Sequence, residues 1–145
     1  MIKVKELIKL KGDSVWHAAP GTSMRAAIQL MTEKKIGALP VLDENGMVGI
    51  ISERDILRVM ANKGEQCLDR EISEYMTTDV VTASAETTLE DCMHMMIDHH
   101  FRHLPILEGN DLVGIVSIRD LVKKVLVQRD VLINDLENYI VGKRQ

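Results

Sequence analysis

The 145-residue chain is 46% hydrophobic and 28% charged, a globular composition long enough to bury one ordinary core. A formal net charge of −4 argues against non-specific nucleic-acid binding, which needs a basic surface against phosphate. No apolar run approaches the roughly 18 residues of a membrane span, the start Met1-Ile2-Lys3-Val4-Lys5-Glu6 is too polar for a secretory signal, and Cys67 and Cys92 form no CxxC pair. These features lead us to expect a cytoplasmic protein with reduced thiols and with no nucleic-acid or membrane partner.

Taken in chain order, Val4, Leu7 and Ile8 predict a short amphipathic helix stopped by Gly12. Val15 to His17 reads as a brief strand ending in turn residues. Thr22-Ser23 are N-cap types, and Met24, Ala27, Ile28 and Met31 come next at helical spacing as a core stripe. Ala38 to Leu42 is a strand, Asn45-Gly46 a hairpin turn signal, and Met47 to Ile51 the returning strand. A helix after Ser52 buries Ile56, Leu57 and Met60 and ends at Gly64. The polar residues beyond it, to about residue 79, read as a linker.

The same series then repeats. Val15–Asp55 matches Val80–Asp120 at a constant offset of 65 residues without a gap: Thr22 falls on Thr87, Leu39-Pro40-Val41 on Leu104-Pro105-Ile106, and Ser52-Glu53-Arg54-Asp55 on Ser117-Ile118-Arg119-Asp120. The register extends back to Glu6-Leu7 over Glu71-Ile72. The second copy accordingly has a strand at Val80–Thr82, a helix carrying Leu89, Cys92, Met93 and Met96, a hairpin around Gly109-Asn110, and a helix burying Leu121, Val122 and Val125. That helix runs on, with room for a break near Asp130, through Leu132, Leu136 and Tyr139 to Gly142. Such an apolar spacing beyond the repeat needs a surface to cover, and a homodimer is expected, with the post-hairpin helices and this tail as contacts.

The sharpest local motif is Gly49-Ile-Ile-Ser52-Glu53-Arg54-Asp55 and its copy Gly114-Ile-Val-Ser117-Ile118-Arg119-Asp120. Ser-x-x-Asp by itself is a capping box, which alone would account for both polar residues. Three further features occur twice and point to a ligand: a helix start offering N–H groups to an anion, an Arg that capping does not require, and a strand glycine that suits close approach of a ligand or another backbone. A hydroxyl, a guanidinium, a carboxylate and free amides together suit a phosphorylated ribose. His94, His99, His100 and His103 cluster in sequence, but only His99 and His103 share a helical spacing, so a metal site is not expected. Cys92 lies on the core stripe and reads as buried rather than nucleophilic.

A duplicated β-α-β-β-α unit with Leu-Pro-Val/Ile before the hairpin and Gly-h-h-Ser-x-x-Asp (h apolar) after it resembles the cystathionine-β-synthase (CBS) domain, over residues 4 to 129. The resemblance implies an α/β (α+β) fold in which two CBS units form one pseudo-two-fold module, with N-terminal and C-terminal helices added. It divides the chain into a first CBS domain at 4–63, a linker and lead-in at 64–79, a second CBS domain at 80–129 and a helical tail at 130–145. It also implies a non-enzymatic sensor with two clefts for an adenosine compound such as AMP, ADP, ATP, NAD(H) or S-adenosylmethionine, held as a regulatory ligand with no catalytic cofactor. One cleft would combine Ser117, Arg119 and Asp120 with Val15, Trp16, His17, Ile36 and Gly37. The other would combine Ser52, Arg54 and Asp55 with Val80, Val81, Thr82, Phe101 and Arg102. Each Asp would hold ribose hydroxyls, each Ser the ribose or phosphate, and Arg102 and His103 are candidates for the phosphates. Glu53 against Ile118 should disfavour a polyphosphate in the Asp55 cleft, so unequal sites are expected. The competing reading is a dimeric interaction scaffold with vestigial ligand sites, either one serving an unknown effector protein. An enzyme ranks last, because no nucleophile, base and orienting group come together in the sequence.

Overall fold

Ser23 and Thr88 start the first helix of each repeat, each side-chain oxygen accepting a backbone N–H three residues on, from Ala26 (3.1 Å) and Asp91 (3.2 Å). The structure is a computed structural model and describes residues 1–11 and 15–144. In chain order the elements are α1 (Lys5–Lys11), α2 (Met24–Lys34), β1 (Ala38–Asp43), β2 (Gly46–Ser52), α3 (Glu53–Lys63), 3₁₀ turns at Gly64–Asp69 and Ile72–Glu74, β3 (Ala83–Ser84), α4 (Leu89–His99), β4 (His103–Glu108), β5 (Asp111–Ser117) and α5 (Ile118–Arg144). The expected termination of α1 at Gly12 lies outside the described residues.

The hairpins β1–β2 and β4–β5 are antiparallel, and their registers are identical at the 65-residue offset, Ala38 facing Ser52 and His103 facing Ser117. The turns differ. Glu44-Asn45 make the first loop, and Gly46 opens β2 at φ 122°, where only glycine sits without strain; in the second, Gly109 takes the positive φ within the loop. Lys35 and His100, equivalent residues, both close their helices in the left-handed conformation, at φ 57° and 58°.

Three sequence expectations need correction. The strands expected at Val15–His17 and Val80–Thr82 are irregular. Ladder pairing begins three residues later, as a single bridge from Ala18 to Val41 and as the two-residue β3 beside β4. Leu57 and its counterpart Val122 are exposed (70% and 42%), as is Val125, because α3 and α5 meet the core along one narrow edge that takes Val59 and Leu121. Finally, α5 is continuous through Asp130, which has neither Pro nor Gly beside it to interrupt the helical ladder.

The lead-in segments are exchanged between repeats. Val4 and Leu7 are buried with Leu89, Cys92, Leu104 and Leu121 of the second repeat, whereas Ile72 is buried with Met24, Leu39 and Ile51 of the first. The backbone contacts mirror one another: Val4 N–H donates to Thr87 C=O (2.8 Å) and Ile72 N–H to Thr22 C=O (2.8 Å); Leu89 N–H donates to Ile2 C=O (3.0 Å) and Met24 N–H to Arg70 C=O (2.9 Å). These pairs make Ile72 the counterpart of Val4, an offset of 68 rather than the 65 that aligns Glu6-Leu7 with Glu71-Ile72. The three extra residues of the first copy therefore fall between Ile8 and Val15. Glycine permits the exchange. A Cβ on Gly49 would lie 2.6 Å from Met76 Sδ and 2.9 Å from Thr77 O, and one on Gly114 would lie 3.0 Å from Ile8 Cγ1. Of the two roles open to the motif glycine, close approach of another chain segment is the one the packing explains.

Candidate functional site: two clefts between the repeats

Each motif helix begins with the same pair of reciprocal Ser–Asp hydrogen bonds. Asp55 Oδ2 accepts from Ser52 N–H (2.9 Å) and from Ser52 Oγ (3.1 Å), and Asp55 N–H donates to Ser52 Oγ (3.3 Å). In the second copy Asp120 Oδ2 accepts from Ser117 N–H (2.8 Å) and Asp120 N–H donates to Ser117 Oγ (3.2 Å). The capping box is thus present twice. A further first-turn amide is engaged in each: Glu53 N–H donates to Gly37 C=O (3.0 Å) and Ile118 N–H to Arg102 C=O (2.8 Å). These bonds fix the helix start against the turn before β1 or β4. Of the first three helical amides, those of Arg54 and Arg119 are left over among the described residues, so the helix starts offer an anion less than their sequence suggests.

These helix starts line two clefts of about 440 Å³ each. Into the first come Ser117, Arg119 and Asp120, together with Val15, Trp16, Ile36 and Gly37. Into the second come Ser52, Arg54 and Asp55, with Val80, Val81, Phe101 and Arg102. His103 borders both, as do Gly37 and Ala38, which makes this the shared wall; a Cβ on Gly37 would lie 2.9 Å from the His103 ring. His17 and Thr82, equivalent positions, line neither cleft; the His17 ring turns back to the Val15 carbonyl (3.1 Å).

Several lining residues lie outside the sequence motif. Arg58 and Lys123 sit one turn after the motif Asp at the same 65-residue offset, a repeated cation that the alignment of the copies already displays. Lys35 and His100 reach the clefts from the two left-handed helix ends. Asp79 and Thr77 reach the second cleft only because the lead-in segment is exchanged, which no local pattern reveals.

The two copies diverge in how their charges are used. Asp55 is 6% exposed and receives Arg58 Nη2 at 2.8 Å, and Arg54 Nη1 donates to the His100 carbonyl (3.0 Å). Lys35, Arg119 and Lys123 of the first cleft make no ion pair or side-chain hydrogen bond among the described residues. Lys34 Nζ lies 4.2 Å from the Trp16 ring centroid, and His99 stacks on Phe101 at 5.9 Å, placing one aromatic group against each cleft. Both cysteines are buried away from the clefts. Burial, helped by the Asp91 carboxylate, pushes the Cys92 thiol up to about 11.

The CBS domain family profile matches residues 4–62 and 72–127. The chain is 34% identical over 103 residues to the CBS domain-containing protein YhcV of Bacillus subtilis, an alignment covering 71% of this chain and 73% of that one. The crystal structure of the CBS-domain containing protein ATU1752 from Agrobacterium tumefaciens superposes with a TM-score of 0.81 at 36% identity, over 85% of this chain and 98% of that one. The CBS domain pair of protein MJ0100, solved with 5′-methylthioadenosine and S-adenosyl-L-methionine, shares the fold with a TM-score of 0.78 at 24% identity, over 88% and 98% of the two chains. No helix among the described residues is long and apolar enough to cross a membrane.

Proposed function

Since the chain belongs to the CBS-domain family, whose paired domains are regulatory modules, we propose that it is a non-catalytic sensor whose two inter-repeat clefts bind adenosine compounds of the AMP, ADP, ATP, NAD(H) or S-adenosylmethionine class. The observation that carries this reading is the duplication itself. Two clefts of small-molecule size each gather Ser, Arg and Asp from a helix start and an apolar wall from the opposite repeat. The apolar wall suits a purine face, and the rigidly held carboxylate suits a ribose diol. Because both motif serines and carboxylates also hold their helix starts, they are fixed polar groups for binding rather than members of a proton relay. The adenosine ligands of the MJ0100 domain pair support the ligand class.

A thermal-shift panel of AMP, ATP, NAD(H) and S-adenosylmethionine, with GMP as control, tests it. A ligand at 100 times its Kd stabilises the native state by about 2.7 kcal/mol, which raises Tm by roughly 5–10 °C for a chain of this size. No shift with any adenosine compound at millimolar concentration would leave the interaction-scaffold reading standing. Exposure of Leu57 and Val122 at equivalent positions, and of Leu132, Leu136 and Tyr139 along α5, supports a homodimer. Light scattering showing a monomer at high micromolar concentration removes the dimer.

A further inference from the structure

The two clefts, equal in volume and motif, differ in electrostatics, and we propose that they divide the adenosine compounds by charge: the Asp120 cleft takes a nucleoside polyphosphate, and the Asp55 cleft takes an uncharged or low-charge adenosine. This rests on the adenosine reading and deepens it. Among the described lining residues, the Asp120 cleft carries Lys35, Arg119 and Lys123 against a single carboxylate. The Asp55 cleft carries Arg54, Arg58 and Arg102 against Glu53, Asp55 and Asp79.

The arrangement of these charges sharpens the contrast. Arg58 is paired with Asp55 at 2.8 Å and Arg54 with the His100 carbonyl at 3.0 Å, so two of the three guanidiniums hold the protein together. Arg102 lines this cleft together with the carboxylates of Glu53 and Asp79. In the Asp120 cleft no such partners hold Lys35, Arg119 or Lys123 among the described residues, and the position equivalent to Glu53 is the uncharged Ile118. The helix starts cannot supply the missing attraction, because two of the first three amides of α3 are already bonded to Gly37 and Ser52. A phosphate chain therefore depends on side-chain cations, and the Asp120 cleft has three uncommitted ones among the described residues.

The test uses the full chain in calorimetric titrations with ATP and with adenosine. Wild type should bind one ATP per chain, with an affinity that falls steeply as salt rises. Lys35→Ala/Lys123→Ala should lower the ratio of ATP to adenosine affinity tenfold or more. Glu53→Ile, which gives the Asp55 cleft the residue of its twin, should raise the ATP stoichiometry from one to two. Both variants alter exposed residues, and thermal melts verify that they fold. If adenosine binds but the double substitution leaves the ratio within twofold, the charge division is wrong and the adenosine reading survives. If neither ATP nor adenosine binds wild type, the adenosine reading fails and this inference falls with it. ATP binding abolished by Arg58→Ala and retained in Lys35→Ala/Lys123→Ala would assign the phosphate chain to the opposite cleft.

Discussion

Replacing the two motif aspartates with asparagine separates their structural from their binding roles. Asparagine keeps one acceptor oxygen and turns the other into an amide donor. At Asp55 both oxygens already receive donors, Ser52 N–H and Oγ on one and Arg58 Nη2 on the other. Whichever way the new amide turns, an NH₂ meets an N–H donor in a site only 6% exposed. The loss comprises the carboxylate at the helix start, about 0.3–1 kcal/mol, and the Arg58 pair, discounted to at most about 1 kcal/mol because Arg58 is mostly solvated. Asp55→Asn should therefore cost about 0.3–2 kcal/mol. Asp120 is half-buried and accepts Ser117 N–H; Asp120→Asn removes the same helix-start carboxylate, which alone should cost about 0.3–1 kcal/mol. Urea denaturation measures both. Calorimetry on the same proteins should show adenosine-nucleotide binding weakened roughly tenfold or more, since a charge-assisted hydrogen bond contributes about 1.5–3 kcal/mol. Additive losses from Asp55→Asn and Arg58→Ala in a double-mutant cycle would refute the assignment of Arg58 to Asp55. Unchanged titrations in the double mutant would leave the motif as a capping box and nothing more.

Gly49→Ala should destabilise the protein by about 1–3 kcal/mol, because its Cβ meets the Thr77 backbone as well as Met76; Gly114→Ala, which meets only the Ile8 side chain, should cost less than about 1 kcal/mol, and urea midpoints that order the pair the other way would count against the exchanged packing. Cys92 should resist Ellman's reagent at pH 8 until urea opens the core, since its thiol ionises near 11 when folded against 9.0 for an ordinary cysteine. A raised folded pKa means that the protonated thiol favours the native state, so this contribution is complete below pH 9 and disappears as pH rises toward 11; rapid native-state labelling would show that Cys92 is not held as described.

Much of this arrangement is legible without coordinates, because a gapless duplication fixes two copies of every element at once. The hairpins, the Ser23 and Thr88 caps and the Met24/Met31 and Leu89/Met96 core stripes follow from period and capping chemistry alone. The brief strands at Val15 and Val80 do not, since three β-branched or aromatic residues carry too little alternation to locate a ladder, and the pairing falls at Ala18 and Ala83 instead. Leu57 escapes the pattern because helical spacing gives a face but not its width. At the clefts, Ser, Arg and Asp are visible as a motif, whereas the Arg58–Asp55 pair and the Arg54–His100 bond are tertiary facts. The 68-residue offset of the lead-ins is hidden by a coincidental Glu-Leu over Glu-Ile match, and only the mirrored backbone bonds reveal it.

The exchange of lead-in segments imposes an order on the nascent chain. Val4 leaves the ribosome 117 residues ahead of Leu121, a member of the pocket that buries it, an interval of roughly 6 to 23 seconds at ordinary rates of synthesis. The first repeat, by contrast, can close once Ile72 and Met76 have emerged, with its own leading segment still hanging free. That free strand of chain, apolar at Val4, Leu7 and Ile8, must stay unattached until the second repeat is made and then return to it as a clasp. A ribosome stalled between the repeats would hold a nearly finished first half and an unclaimed hydrophobic segment, a state open to chaperones and to aggregation.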